Sequence, residues 1–313
     1  MTKVKNFLRR YGTTITPFLG LIFVLVVFGI LSQGKMFSSR NVRMLINQMF
    51  PVITCCIGAT FYWAWGILDL SVAGILGCST IFTALLINAG HPILALLAGI
   101  GVAVGFCLCS SLIGVFLNIP MFLSSLCFMF ITSGILTSAT SKQMIIITGD
   151  YSAFNTTTVK VVFIVVLAVI CSVLFNFTSL GKAARIMGGN ETAAKFSGIR
   201  VNRIKVISFI IAGVCIGVAA FFTTMRVGKI DYTVGNGVQF DVITAMVFGG
   251  MPFGGGRHAK LANGIVGSMT YILLSNGLQL AGVPYNMIAL INGVVFLIVV
   301  YLTFPKSKSK LLP

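Results

Sequence analysis

The chain has 313 residues, 57% of them hydrophobic and only 9% charged, with a formal net charge of +17. Soluble domains carry about 25% charged residues, so this composition excludes a soluble globular protein and leaves no basic soluble face for nucleic acid. The 34 glycines suit helices that pack closely in lipid.

At the N-terminus Lys3, Lys5, Arg9 and Arg10 precede a long apolar run with no A-x-A-like cleavage site between Ser32 and Lys35. An uncleaved first span is expected. Counting runs of about 20 residues gives about ten spans: 15–32, 44–64, 70–89, 92–116, 119–140, 159–178, 206–225, 239–253, 261–279 and 284–304. The expected fold is an all-α polytopic membrane protein, one transmembrane domain over 1–313. The eighth run is short and ends in Gly249, Gly250, Gly254, Gly255 and Gly256. These glycines mark a broken or half-spanning helix, where backbones pack closely rather than forming an anion-binding nest.

Along the spans, Asn47, Gln48, Ser71, Ser124, Ser125 and Asn276 are polar side chains in apolar surroundings. They are candidates for an aqueous path and equally for interhelical hydrogen bonds. Trp63 and Trp65 are expected in an interfacial aromatic belt. The cysteines, Cys55, Cys56, Cys78, Cys107, Cys109, Cys127, Cys171 and Cys215, all fall in apolar segments and read as small buried hydrophobes without metal-ligand spacing. Asp69 opens the third span and Asp241 the eighth. Acids at such depth are functional candidates, and either can also cap its helix. Pro120 and Pro284 open the fifth and tenth spans. Both pairs lie five spans apart, which is the pattern of an inverted 5+5 repeat, although capping chemistry alone puts Asp and Pro at helix starts. His91 and His258 fall in short connections with no acid close in sequence. No nucleophile–base pair or carboxylate pair appears, so no catalytic residue is assigned.

Between the sixth and seventh runs lies a polar island, 181–205, with Lys182, Arg185, Lys195, Arg200, Arg203 and Lys205 against the single acid Glu191. Asn190 is placed to cap a short helix, Glu191 suits its first turn, and Gly198 can end it. The segment 190–198, with Gly189, Asn190, Glu191, Ala194, Lys195, Ser197 and Gly198, reads as a docking helix on the cytoplasmic face. With the N-terminus inside, the inner side holds 15 bases: four in the N-terminal tail, six in this loop, Arg257 and Lys260, and Lys306, Lys308 and Lys310. Seven are left outside, Lys35, Arg40, Arg43, Lys142, Lys160, Arg226 and Lys229. That excess puts both termini in the cytoplasm.

The stretch 181–198 resembles the cytoplasmic loop of ribose-type (monosaccharide) permeases of ATP-binding cassette importers. GILDLSVAG at 66–74 is similar to that family's GIDLSVG segment, and IPMFLSSL at 119–126 to its IPxFIxTL segment. RVGKIDYTVGNGVQFDVITAMVFGGMPFGGG at 226–256 and SNGLQLAGVP at 275–284 are similar to its later segments. Three departures stand out: Leu68 is inserted before Asp69, Ser110 and Ser111 replace an Asn-Gly pair, and His258 and Ala259 interrupt a glycine and basic pattern. The resemblance implies a plasma-membrane permease, not an enzyme, translocating a monosaccharide or related neutral solute by alternating access. It implies as partners a cytoplasmic ATPase, an extracytoplasmic solute-binding protein and a second permease subunit, identical or not, all amid membrane lipid. The chain itself has no G-x-x-x-x-G-K-[ST] phosphate loop and needs no cofactor of its own. Branched-chain amino acids or nucleosides are the alternative substrates, and an ion-coupled transporter working alone is the alternative of another class.

Overall fold

The computed structural model describes residues 2–149, 151 and 153–303. Lys306, Lys308 and Lys310 of the inner-side count lie outside the described residues. The chain is all-α: α1 Thr2–Leu31, α2 Ser39–Trp63, α3 Val72–Asn88, α4 Pro92–Phe116, α5 Met121–Thr140, α6 Thr157–Phe177, α7 Ser179–Gly189, α8 Glu191–Phe196, α9 Val201–Val227, α10 Val238–Phe248, α11 Leu261–Leu280 and α12 Tyr285–Thr303. A 3-10 turn over Lys35–Phe37 precedes α2, and two short strands, β1 Ile145–Ile146 and β2 Lys229–Ile230, pair antiparallel.

Local chemistry sets the starts and stops. Ser38 accepts the Asn41 N–H at 3.3 Å ahead of α2, and Thr156 accepts that of Val159 at 3.4 Å ahead of α6. Pro92 opens α4, where its missing N–H costs nothing. Gly228 ends α9 at φ +72°, the left-handed conformation that favours glycine.

Among the described residues five helices, α2, α4, α5, α6 and α9, are long and apolar enough to cross a membrane. The apolar runs Thr16–Leu31, Val72–Asn88, Val238–Phe248 and Asn286–Tyr301 are shorter. The eighth run is helical for 11 residues only, and its glycine tail is an irregular segment, as its composition implies.

α9 lies at the centre, against α2 and α4. Small residues allow the approach: a Cβ on Gly217 would come within 2.4 Å of the Ile100 backbone on α4, and one on Gly213 within 2.7 Å of Val104. α6 is the opposite case. Only 17% of its most apolar window is buried, and Val162, Val165, Val166, Val169, Ile170 and Val173 point outward. A bare aliphatic face of that size belongs in lipid.

Two expectations need correction. Trp63 and Trp65 are not in a lipid-facing belt: they are 1% and 7% exposed. Trp63 Nε1 donates to Pro252 O at 2.9 Å, because the end of α2 is roofed by the segment after α10. Six of the eight cysteines are buried, but Cys109 and Cys127 are exposed on α4 and α5. A thiol on an outward helix face costs little where the solvent is hydrocarbon.

A capped basic helix and two acids near helix starts

At one end of the bundle α7 and α8 fold back beneath the long helices. Asn190, in extended backbone, accepts the Ala193 N–H at 3.0 Å and starts α8, and Gly198 at φ +80° follows its end. Ser197 Oγ donates to Ala193 O at 2.9 Å. Glu191 receives Lys205 at 3.0 Å and Lys195 at 3.4 Å. Burial works to raise the Glu191 carboxyl, but the hydrogen bonds and charges of Lys205 and Lys195 outweigh it and hold it below its ordinary value. Ala194 is fully buried and anchors the helix. Gly189 is open on its Cβ side, so no close approach requires glycine there. Phe196 is 88% exposed, an aromatic ring presented to whatever lies below. Sequence reading passed over Phe196, because a six-residue helix is too short for its apolar period to assign a face.

This end is stitched by backbone contacts. Gly256 N donates to Ala64 O at 2.7 Å. A Cβ on Gly188 of α7 would sit 2.3 Å from Ala64 O and 2.4 Å from Gly256 N, and one on Gly255 2.3 Å from Ala64 O. The last turn of α7, the end of α2 and the glycine segment 254–256 therefore touch with no side chain between them. Lys205 also lies 5.4 Å over the Trp65 ring. A groove of about 510 Å³ opens beside this junction, lined by Trp65, Gly66, Asn118, Pro120, Glu191 and Lys205 among others.

The opposite end carries the strands. Asn88 at the end of α3 donates to Ile146 O at 2.8 Å and accepts the Thr148 N–H at 2.8 Å. Lys160 donates to Asn47 at 2.5 Å and to Asn155 at 2.6 Å, so Asn47 serves to seat a lysine.

Asp69 lies in the bend between α2 and α3 and is 2% exposed. One carboxylate oxygen accepts both the Ser71 N–H at 2.8 Å and the Ser71 hydroxyl at 2.6 Å, while the other has no hydrogen-bond partner. Ser71, not Asp69, is the residue that borders α3. The acid thus fixes the turn ahead of the helix. Leu70 N donates to Ser125 Oγ at 3.3 Å, and Ser124 Oγ donates to Ser110 O at 2.7 Å. Asp69, Ser71, Ser124 and Ser125 are therefore gathered where α3, α4 and α5 meet, all buried in this conformation.

Asp241 does not cap α10. It is the fourth residue of the helix, Gly237 occupies the cap position, and its carboxylate accepts the Tyr271 hydroxyl of α11 at 2.5 Å. The helix begins at Val238, one residue before the expected run and three before Asp241, because Gly237 at φ +87° is the natural break. Tyr271 was invisible as a partner, since nothing local joins positions 30 residues apart. Asn276 pairs reciprocally with Asn41 of α2, amide to amide at 3.1 and 3.2 Å. That is interhelical bonding, one of its two expected roles. His91 borders α4 and His258 lies between α10 and α11, both in connections as expected.

Broken helices at buried polar groups, inside a bundle of apolar helices, define a membrane transport protein by architecture. The chain belongs to the family described as "Branched-chain amino acid transport system / permease component", whose model matches residues 41–300. Among its relatives is the ribose import permease protein of Bacillus subtilis (strain 168), 30% identical over 300 residues, covering 93% of this chain and 92% of the relative. The D-allose transport system permease protein of Escherichia coli (strain K12) is 29% identical, covering 91% and 89%. The galactofuranose transporter permease protein of the same strain is 27% identical, covering 93% and 89%. The resemblance to ribose-type permeases read from the motifs is borne out, and the chain is a multi-pass membrane permease. No solved structure matches it significantly.

Proposed function

We propose that this chain is the membrane-spanning subunit of an ATP-binding cassette importer in the plasma membrane, carrying a monosaccharide or a related neutral, polyol-like solute. The observation that carries the reading is similarity along nearly the whole chain to permeases named for ribose, allose and galactofuranose. The polar groups at the helix breaks are neutral or singly acidic, which suits a hydroxyl-rich solute better than a zwitterion.

In this reading residues 1–313 form one transmembrane domain of ten spans with both termini cytoplasmic, its halves an inverted 5+5 repeat. A cytoplasmic ATPase docks on α8 through Gly189, Asn190, Glu191, Ala194, Lys195, Ser197 and Gly198, with Phe196 as the apolar anchor. ATP binding on that partner moves α8. The side-chain-free junction of Gly188, Ala64 and Gly256 passes the motion to the bend before α3 and the segment after α10. Asp69, Ser71, Ser124, Ser125, Asp241 and Asn276 are the candidates for the path that opens between those breaks. An extracytoplasmic solute-binding protein delivers solute at the strand end, and a second permease subunit, identical or different, completes the path.

Reconstitution in liposomes with the ATPase and the binding protein tests this. ATP-dependent uptake of ribose or allose is expected, with none when the ATPase is omitted. Uptake of leucine in place of sugars would move the substrate to the class in the family's description. Uptake by the chain alone under an ion gradient would overturn the importer-subunit reading.

A further inference from the structure

A groove of about 610 Å³ runs between α6 and α11 at the α8 end of the bundle. Its wall is aliphatic, formed by Val165, Ala168 and Val169 of α6 with Leu261 and Ile265 of α11. Its mouth carries Arg185 of α7 with Arg257 and Lys260 from the turn before α11. The wall belongs to the most outward-facing of the long helices, so it meets the hydrocarbon of the bilayer while the bases sit at one end of it.

Among the described residues, none lining the groove is acidic. Arg185 is oriented by neutral groups: it donates to Asn176 Oδ1 at 2.7 Å, and its guanidinium lies 4.4 Å over the Phe175 ring. Arg257 and Lys260 are exposed. Three cations thus meet at the head of an apolar, lipid-facing trough.

We propose that this groove binds an anionic phospholipid. Its phosphate is held by Arg185, Arg257 and Lys260, and an acyl chain lies along the α6–α11 wall. A basic pocket between spanning helices at the membrane surface is the arrangement that selects anionic headgroups, each base near the surface contributing about 1 kcal/mol. A free phosphate would use the bases and leave the wall idle; only an amphiphile uses both. The inference concerns the membrane, not the solute, and holds whatever is transported.

The test is native mass spectrometry of the purified full chain in neutral detergent, with phosphatidylglycerol, phosphatidylcholine and inorganic phosphate as probes. Retention of one phosphatidylglycerol per chain is expected, with much weaker retention of phosphatidylcholine and no displacement by millimolar phosphate. The double variant Arg257→Ala/Lys260→Ala, both on exposed positions, is expected to weaken phosphatidylglycerol retention roughly thirtyfold. Ala168→Trp fills the wall with the bases intact and is expected to weaken it too. Lys229→Ala, on a strand at the far end, should leave it unchanged. Equal retention of both lipids by the unaltered chain, or full retention by the double variant, overturns the site. Full retention in Ala168→Trp together with displacement by phosphate reassigns the bases to a free anion and overturns the lipid.

Discussion

Single residues at the helix breaks have roles that particular substitutions separate. Asp69 holds the turn before α3 through one oxygen that accepts two Ser71 donors. Asparagine keeps an acceptor there, so Asp69→Asn should retain the fold, whereas Asp69→Ala strands two donors and should cost about 1–3 kcal/mol, read as a lower melting temperature in detergent. Transport in the Asp69→Asn variant then isolates the charge: near-normal ATP-driven uptake assigns the residue to the turn, and loss of uptake in a stable protein assigns it to the path. Asp241 answers differently because its partner is on another helix. Tyr271→Phe removes the hydroxyl that the half-buried carboxylate accepts and leaves that acid without its partner, and should destabilise more than Asp241→Asn, which keeps an acceptor for the tyrosine. Equal melting temperatures for the two variants would refute that hydrogen bond.

Among the elements, α8 and the glycine junction make the sharpest case. Gly188 faces Ala64 O and Gly256 N with no room for a methyl group. Gly188→Ala must push α7 off the end of α2, at about 1–3 kcal/mol, and is expected to lower coupled uptake while Gly101→Ala, on α4 with nothing near its Cβ, does not. The ion pairs of Glu191 add a pH signature. Because its folded pKa is depressed, the stabilisation is present above the unfolded carboxylate value of about 4.3 and is lost as pH falls through the lower folded value. Cross-linking of Ser197→Cys to the ATPase should hold steady across neutral pH and decline only in stronger acid. Glu191→Gln should remove that acid dependence at a cost of no more than about 1 kcal/mol, the pair being partly exposed. An absence of cross-links from every position between 190 and 200 would remove α8 as the docking element.

On the scale of the whole molecule, the connections assigned to one membrane side should be reachable from that side alone. Ser141 lies at the strand end and Ser179 at the start of α7, both exposed. In a cysteine-free background of intact cells, an impermeant thiol reagent should label Ser141→Cys directly and Ser179→Cys only after permeabilisation. The reverse pattern would invert the topology and move the docking helix outside.

The sequence by itself determined the class and the main helices, though not α7 or the two short strands. Long apolar runs have one stable form in lipid, where every backbone polar group must be satisfied within its own segment. The ten runs therefore all emerged as helices, most of their ends within five residues of the expected bounds, with α1 starting thirteen residues before its run. Capping chemistry is equally local, so α8 with Asn190 at its head and Gly198 behind it was legible. The family followed from collinear motifs, which need no geometry. What only the tertiary structure decided is who faces whom. Whether a tryptophan sits in lipid or under Pro252, whether Asn276 lines a path or pairs with Asn41, and whether Asp241 caps or meets Tyr271 all depend on neighbours far away in sequence. Hydropathy cannot rank those options, because in a membrane protein the interior and the surroundings are about equally apolar. The glycines marked close approach, but only the folded chain showed that Gly188, Ala64 and Gly256 approach one another. The basic trough between α6 and α11 arises from the same cause: bases far apart in the chain meet only when the bundle closes.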